Sequence, residues 1–202
     1  MKPILFNTEM VKALLEGRKI VTRRIITPQP GPDEELFYIY AGSRKSDIGK
    51  WQSRIPGRKW NPPYHAEDIL YVRETWAFDT GDADDEIGTG YFAYRADDLH
   101  HPDCKWRPSI HMPKEAARIF LRVKCVRVNR LQDITADECA MEGVGLFSGL
   151  VCKREEYYKT AFAKLWDSTI KPADMDTYGW DANPWVWVIE FEKISKEEAL
   201  KC

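Results

Sequence analysis

Apolar residues recur along this chain with two different spacings, and each spacing predicts a different kind of element. Near the N-terminus the apolar side chains lie three or four residues apart, which is the spacing of one helix face. They are Met10, Val11, Leu14 and Leu15. Asn7 or Thr8 can cap the start of this helix, and Gly17 suits a left-handed stop at its end. The β-branched stretch KIVTRRII at 19–26 then predicts a strand.

Alternation of polar and apolar residues predicts strands farther along the chain. In EDILYVRETWAF at 67–78, every second residue from Leu70 to Trp76 belongs to one face, and Glu74 is the acidic residue on that face. The last predicted strand, NPWVWVIEFEKI at 183–194, carries bulky apolar residues on both faces, so we expect it to lie in the middle of a sheet. Four further stretches have strand character: LFYIY at 36–40, GYFAYRA at 90–96, RIFLRVKCVRVNRL at 118–131 and NPWVWVIEFEKI at 183–194.

Two helices are predicted in the C-terminal half. In ITADECAMEG at 134–143, Thr135 and Glu138 form a capping box and Gly143 ends the helix. A longer helix is predicted in KREEYYKTAFAKLWDSTI at 153–170, because its large apolar residues share one helical stripe. That stripe consists of Tyr158, Phe162, Leu165 and Trp166.

The order of these elements predicts the architecture. One helix near the N-terminus and two in the C-terminal half surround short, mostly antiparallel strands, which favours an α+β fold with a small, partly closed β-barrel. The stretch at about 27–66 is rich in proline and turn-forming residues, and we interpret it as an insertion or long loop. We therefore expect a single domain over 1–202.

The charge balance limits the classes of ligand. The 202 residues carry a formal net charge of −2, whereas a protein that binds polyanions over its whole surface is clearly basic. A local basic cleft is compatible with this balance, because the acidic excess is concentrated in DTGDADDEIG at 79–88. We interpret that stretch as a solvated loop, with a lid that repels the wrong anions as the alternative.

Cysteine and histidine usage predicts a reduced compartment and no metal. The five Cys are scattered without a CxxC pair, and the four His show no metal-ligand spacing. The N-terminus does not resemble a signal peptide, and no long apolar run is present in the sequence. We expect a cytoplasmic protein with no metal, no cofactor and no membrane partner, and the oligomeric state stays open.

The first helix-to-strand joint concentrates polar chemistry. Four residues there form the pattern G-x-K-x-x-T-x-R: Gly17, Lys19, Thr22 and Arg24. On an extended strand Thr22 and Arg24 share a face, and Lys19 lies at the bend that Gly17 permits. A lysine, a hydroxyl and a carboxylate can hold a polar planar ligand, or the lysine can activate the hydroxyl as a nucleophile. The alternative is an edge strand whose cations prevent aggregation.

Two glutamates are candidates for the carboxylate. Glu142 lies in the last turn of the predicted short helix, where the helix dipole disfavours its charge by about 0.3 to 1 kcal/mol, and a nearby cation or ligand would offset that cost. Glu74 is expected to point to the apolar face of its strand, where a carboxylate has to be paired or protonated. The alternatives are an exposed Glu142 without a partner and a structural ion pair between Glu74 and an arginine.

Taken together, these stretches resemble ASCH domains, which belong to the PUA-like superfamily. EGRKIVTRR at 16–24 is similar to the family signature, and AEDILYVRETWA at 66–77 is similar to its G-D-x-L-x-V-R-E strand, with Glu67 where the family usually has Gly. ITADECAMEG resembles its T-x-x-x-A-x-x-E-G helix, and the long helix and WVIEFEKI at 187–194 resemble its close. The stretches at about 27–66 and 77–117 look like insertions beyond the compact family core, and they resemble those of longer variants common in phages and prophages.

The resemblance implies a small β-barrel with a cleft beside the first helix that binds RNA or a nucleotide. Some compact bacterial members are amidohydrolases that remove the acyl group from N4-acetylcytidine with a Lys, a Thr and a downstream Glu. By resemblance, Lys19 is the base, Thr22 the nucleophile and Glu142 the support of the lysine. Whether Glu74 or Glu142 partners Lys19 stays open. RNA or nucleotide binding is the leading prediction, amidohydrolase activity is the first alternative, and a non-catalytic phage interaction protein is the second.

Further residues are candidates for contacts with such a ligand. Arginines beside the signature and on the later strand suit phosphates, tryptophans suit base stacking, and small polar side chains suit a base edge. The phosphate candidates are Arg23, Arg24 and Arg73, the stacking candidates Trp76 and Trp106, and the base-edge candidates Ser109 and His111. Core packing is the alternative for both tryptophans, and a structural role is the alternative for the histidine.

Overall fold

Strands and helices follow one another in mixed order in the structure, a computed structural model that describes residues 1–31, 34–39, 49–53, 58–79, 90–97, 105–145 and 154–201. The strands are β1 (Lys2–Leu5), β2 (Val21–Ile25), β3 (Leu36–Tyr38), β4 (Trp51–Ser53), β5 (Lys59–Trp60), β6 (Ile69–Arg73), β7 (Trp76–Asp79), β8 (Tyr91–Tyr94), β9 (Phe120–Arg130) and β10 (Trp185–Ile194). The helices are α1 (Thr8–Leu15), α2 (Ala136–Met141), α3 (Arg154–Asp167), α4 (Met175–Tyr178) and α5 (Lys196–Lys201). The predicted α+β class is confirmed.

A five-stranded mixed sheet has the order β1-β6-β9-β10-β2. β1 runs parallel to β6, β6 is antiparallel to β9, and β10 is antiparallel to β2. The prediction that the last strand lies inside a sheet is confirmed, because β10 has β9 on one side and β2 on the other. Within the described residues this order ends at β1 and β2, so the partly closed barrel stays a prediction.

The stretch at 67–78 was expected to be one strand, and that expectation is wrong. It forms two strands with different partners: β6 pairs with β1 and β9, whereas β7 pairs with β8. The break falls at Glu74, whose backbone N–H donates to Met112 Sδ at 3.2 Å instead of to a neighbouring strand. Alternation of side chains continues through such a break, so the pattern alone does not reveal that the pairing partner changes.

Two further differences concern short strands. The stretch at 27–66, predicted to carry one strand, forms the antiparallel sheet β3-β4-β5, and β1 was not predicted. These strands have two to four residues, which is too short for a clear alternating pattern. The acidic loop predicted at 79–88 lies almost wholly outside the described residues.

The chain forms two compact units. The first unit contains residues 1–19, 68–122 and 192–202, and the second contains residues 20–67 and 123–191. The single-domain prediction over 1–202 stays a prediction. In the first unit, the hairpin β7–β8 and two 3₁₀ turns (Ser109–His111 and Lys114–Ala116) pack with β6 and the start of β9. Residues at the centre of that core are Ile69, Tyr71, Trp76, Met112 and Phe120.

In the second unit, one face of β2 and β10 packs against α2 and α3. The predicted stripe of α3 is confirmed, since Tyr158, Phe162 and Trp166 are buried and Leu165 packs against the same core. From the sheet, Val21 of β2 and Val186 and Val188 of β10 complete it. The opposite face of β2 and β10 carries Thr22 and Arg24.

Candidate functional site

The signature begins with a helix stop of the predicted kind. Asn7 caps α1 by accepting from the N–H of Met10, and Gly17 has a φ of +75°, a conformation that strains residues with a side chain. The N–H groups of Arg18 and Lys19 both donate to the carbonyl of Ala13. Lys19 is 1% exposed, and its Nζ lies 5.5 Å from the centre of the Phe6 ring.

β2 carries the rest of the signature on two faces. Residues directly opposite one another in an antiparallel pair share a face, and β10 places Trp187 opposite Arg24, Val188 opposite Arg23 and Ile189 opposite Thr22. Val188 packs in the core with α2 and α3, so Arg23 points to the helices. Thr22 and Arg24 point to the other face, as the sequence predicted.

Arg23 forms the centre of a buried ion-pair network. Its guanidinium donates to Glu142 Oε1 at 3.1 Å and to Glu138 Oε2 at 2.8 Å, and its side chain is almost wholly withdrawn from solvent. Glu138 also accepts from Arg127, which in turn pairs with Glu190 at 3.2 Å. The guanidinium of Arg23, a phosphate candidate by sequence, therefore binds two carboxylates of its own chain.

The end of α2 supplies these carboxylates. The capping box between Thr135 and Glu138 is confirmed, and Gly143 has a φ of +93° just beyond the helix. Glu142 is the C-terminal cap and is 3% exposed, and the arginine beside it offsets the unfavourable position at the negative end of the helix. The N–H of Ile20 donates to the carbonyl of Met141 at 2.9 Å, which fastens the start of β2 to the end of α2.

The charges of this network set the proton affinity of Glu138. Burial by itself raises the pKa of this carboxyl, but hydrogen bonds from Arg127 and from the Thr135 N–H, together with the charge of Arg23, hold its pKa below the usual value. Glu138 is therefore ionised at neutral pH, and its contacts with Arg23 and Arg127 are ion pairs.

Arg24 lies on the opposite face of β2 in a different setting. Its side chain is half-buried, and withdrawal from water lowers the pKa of the guanidinium, while the charges of Tyr64 and Glu142 act in the other direction. Trp187, its neighbour on β10, contacts Trp51 of β4 with ring centres 6.3 Å apart. The small sheet β3-β4-β5 thus lies over the face that carries Thr22 and Arg24.

A cavity of about 270 Å³ opens in the same unit. One wall is the stretch of β9 at 125–127, which lies beyond the pairing of β6 with β9. Most of the other lining side chains are aromatic, and the sequence did not single them out. The lining residues are Tyr38, Trp51, Pro62, Tyr64, His65, Ala66, Cys125, Val126 and Arg127. The sequence feature that could have indicated these lining residues is the density of aromatic residues between two proline-rich stretches.

The remaining predicted residues belong to the first unit. Glu74 is buried and makes a two-fold ion pair with Arg118, at 2.9 Å from Nε to Oε1 and 3.0 Å from Nη2 to Oε2. Arg118 also binds Asp97. Burial raises the pKa of Glu74, and Asp97 adds to that effect while Arg118 opposes it. The sequence left open an ion pair with an arginine or contact with a ligand for Glu74, and the structure shows the ion pair, with Arg118.

The tryptophan and turn candidates lie in three settings within this unit. Trp76 is buried in the core beside Phe92, whereas Trp106 is partly exposed and stacks with the guanidinium of Arg95 at 5.3 Å. Ser109 and His111 lie in one 3₁₀ turn, partly exposed and exposed respectively. Arg73 donates to the carbonyl of Ile110 in that turn at 3.3 Å, so the structure groups it with Ser109 and His111.

Other chemistry receives little support from the side chains that the structure describes. In that part of the chain no cluster of His, Cys, Asp and Glu could hold a metal ion. Cys125 and Cys139 are free thiols, and burial raises the pKa of both, that of Cys139 to about 12, so neither is poised as a nucleophile. None of the described helices combines the length and the apolar character that crossing a membrane requires.

We compared the chain with known protein families, curated proteins and solved structures. No family model, no curated protein and no solved structure matches the chain.

Proposed function

We propose that this chain is an ASCH-type, PUA-like protein, with the partly closed barrel of that family, that binds a nucleotide, free or within single-stranded RNA. The site is the face of β2 that carries Thr22 and Arg24. The observation that carries the proposal is the environment of Arg24, a half-buried guanidinium whose pKa burial lowers. A cation that has lost part of its hydration gains from charge-assisted hydrogen bonds to phosphate or carbonyl oxygens.

The neighbours of Arg24 support a ligand that is both polar and flat. The hydroxyl of Thr22 lies two residues away on the same face and can both donate and accept a hydrogen bond. Trp187 lies opposite Arg24 on β10, and Tyr64 is close enough to affect the pKa of the Arg24 guanidinium. Cation, hydroxyl and aromatic rings on one face are the groups that recognise phosphate, sugar and base in single-stranded nucleic acids.

Binding to a short single-stranded RNA tests this proposal. Arg24→Ala should weaken binding, and the log–log dependence of affinity on salt should lose about one unit of slope if the guanidinium contacts a phosphate. Arg18→Ala is the matched control, because Arg18 belongs to the same cationic stretch but pairs with Glu16. Fluorescence anisotropy at several salt concentrations provides both values. Equal loss in the two variants would indicate diffuse charge attraction and would contradict a site at Arg24.

A second function is proposed on a separate observation, the burial of three residues to which the resemblance assigns catalysis. Lys19 is 1% exposed, Thr22 3% and Glu142 3%. Withdrawing a lysine and a glutamate from water is costly, and a lysine in such a position is the type of base that activates a hydroxyl. This second function is hydrolysis of an N4-acylated cytidine.

The resemblance implies a reaction in two steps, with Thr22 as the nucleophile, Lys19 as the base and Glu142 as the support of the lysine. The oxygen of the nucleophile attacks the acyl carbon as the base accepts the hydroxyl proton, and the bond from carbon to N4 breaks as that proton passes to the leaving amine. Water then attacks the acyl ester with the same group as base, which releases the carboxylic acid and restores the hydroxyl.

Release of cytidine from N4-acetylcytidine, followed by chromatography, tests this second function. Thr22→Val removes the hydroxyl at nearly constant volume and should abolish release, and Thr22→Ser should retain a measurable part of it. Lys19→Met should also abolish release while circular dichroism shows an unchanged fold. Full activity in Thr22→Val would exclude Thr22 as the nucleophile.

A further inference from the structure

The aromatic cavity of the second unit is a feature that the signature does not explain. It is built mainly by the stretch at 27–66, which the resemblance treats as an insertion. Tyr38 and Trp51 pack edge to face across β3 and β4, with ring centres 5.6 Å apart, and Trp51 also packs against Trp187. These contacts hold two of the rings in place before any ligand arrives, which reduces the entropy cost of binding.

The chemistry of the walls favours a flat ring with polar edges. Phenol, indole and imidazole groups each combine an aromatic face with a polar tip, and the aliphatic part of the lining is small. At about 270 Å³ the cavity lies just below the usual range of ligand pockets, roughly 300 to 1,000 Å³, so it suits one ring system with a small substituent.

The charge of the cavity favours a neutral group. Among the described lining residues, Arg127 is the only one with a lysine or arginine side chain. Its guanidinium already pairs with Glu138 and Glu190. A phosphate would have to compete with both carboxylates for that guanidinium and would be repelled by them. The ring of a ligand is therefore favoured inside the cavity, and an anionic group is favoured outside it.

Tyr64 connects the cavity with Arg24. It lines the cavity, and its phenol is close enough to Arg24 to affect the pKa of the guanidinium. We propose that the cavity is a base-binding subsite, in which the heteroaromatic ring of a nucleoside stacks on Tyr64 and the neighbouring rings. This inference rests on the proposed nucleotide binding, in which Arg24 contacts the phosphate or sugar of the same ligand. The insertion then determines which base is accepted, while β2 recognises the backbone.

Calorimetric titration of the whole chain with cytidine, uridine, adenosine and guanosine tests the subsite, with ribose 5-phosphate as a probe that lacks a base. At least one nucleoside should bind more tightly than ribose 5-phosphate. Tyr64→Leu should weaken nucleoside binding about five-fold to a hundred-fold, the usual value of one stacked base, and Tyr64→Phe should stay within about two-fold. Tyr91→Leu is the matched control, since Tyr91 is a 50% exposed tyrosine of β8 in the first unit.

The outcomes separate this inference from the proposed function. Nucleoside binding that depends on Tyr64 supports the subsite, even if Arg24→Ala changes no affinity and thereby contradicts the proposed role of β2. RNA binding that depends on Arg24 but is unchanged in Tyr64→Leu overturns the subsite alone. Ribose 5-phosphate binding as tightly as the nucleosides also overturns it. If Tyr64→Leu does not fold, His65→Ala alters an exposed lining residue and should weaken nucleoside binding, and unchanged affinity overturns the subsite.

Discussion

Each unit contains a cluster of arginine and carboxylate side chains, and the pKa of the central glutamate shifts in opposite directions in the two clusters. In the first unit one arginine, Arg118, serves both Glu74 and Asp97. In the second unit Glu138 receives hydrogen bonds from two arginines, Arg23 and Arg127. Burial raises the pKa of Glu74, whereas the two guanidinium groups keep the pKa of Glu138 below its usual value despite burial.

The difference shows that burial and charge compensation act separately on a carboxyl group. Desolvation is the largest influence on both glutamates and favours the neutral form in both. The outcome depends on how deeply each carboxylate is buried and on how many donors it accepts from, and the Glu74 side chain is 1% exposed whereas that of Glu138 is 18% exposed. A single shared arginine leaves Glu74 with a raised pKa, while two arginines and a backbone N–H overcome the effect of burial at Glu138.

The largest expected effect is the loss of Arg23. Arg23→Met leaves the buried carboxylate of Glu142 without its guanidinium and should lower the free energy of unfolding by about 3 to 5 kcal/mol at neutral pH. Urea denaturation followed by circular dichroism measures this change. In the double variant with Glu142→Gln the loss should be smaller than the sum of the two single losses, and strict additivity would show that the pair is not coupled.

The corresponding variant of the first unit is Arg118→Met, with an expected loss of about 3 kcal/mol at neutral pH, because Arg118 is more exposed than Arg23. The raised pKa of Glu74 gives this loss a direction with pH. The contribution of Glu74 to stability is present below the usual carboxyl value of 4.5 and is lost as pH rises through its folded pKa. At acidic pH Glu74 is protonated and no longer forms an ion pair with Arg118, so the variant should be closest to the parent protein there. A loss independent of pH would show that packing, not charge, is what Arg118 contributes.

Glu138 should show the opposite pH dependence. Because its folded pKa lies below the usual 4.5, its contribution is present above that value and is lost as pH falls through the folded pKa. Glu138→Gln should flatten the acid limb of the stability profile, as measured by urea midpoints at a series of pH values. An unchanged acid limb would assign the acid sensitivity to other carboxylates and would remove the contrast with Glu74.

The smallest expected effect concerns the capping box. Thr135→Ala removes the hydroxyl that accepts from the Glu138 N–H and should cost about 1 kcal/mol, within a range of about 0.5 to 2. Thr135→Ser should restore most of it. Because α2 carries Glu138 and Glu142, hydrogen exchange at the end of α2 should increase in Thr135→Ala while exchange at the first-unit cluster stays unchanged. Faster exchange at both clusters would show that they do not respond independently.

The helix ends and the long elements were predictable because their causes are local. Gly17 and Gly143 adopt the left-handed conformation that their places after α1 and α2 require, and Thr135 forms the capping box that its spacing to Glu138 indicates. The long strand β10 was recognisable because both of its faces are apolar. Each of these features depends on residues within a few positions of one another.

The candidate site was predictable only in part. Residue type and resemblance identified Thr22, Arg24 and Glu142, but they did not identify the partner of Arg23, which lies 119 positions away in the sequence. They also missed the lining residues of the cavity, because Tyr38 and Trp51 lie on strands too short for a usable periodicity and Tyr64 lies in a proline-rich stretch outside the strands. Only the pairing of β3 with β4 brings the rings of Tyr38 and Trp51 together.

Local propensity and spacing were therefore enough to specify the helix stops, the caps and the order of the main elements. The tertiary structure decided which charged residues compensate one another, because an ion pair depends on distances of a few ångströms between atoms that are remote along the chain. It also decided that Arg23 faces the carboxylates of α2 while Arg24, the next residue, faces the aromatic side of the sheet. Alternation along β2 required opposite faces, but only the packing of α2 and β4 on those faces assigned each arginine its environment.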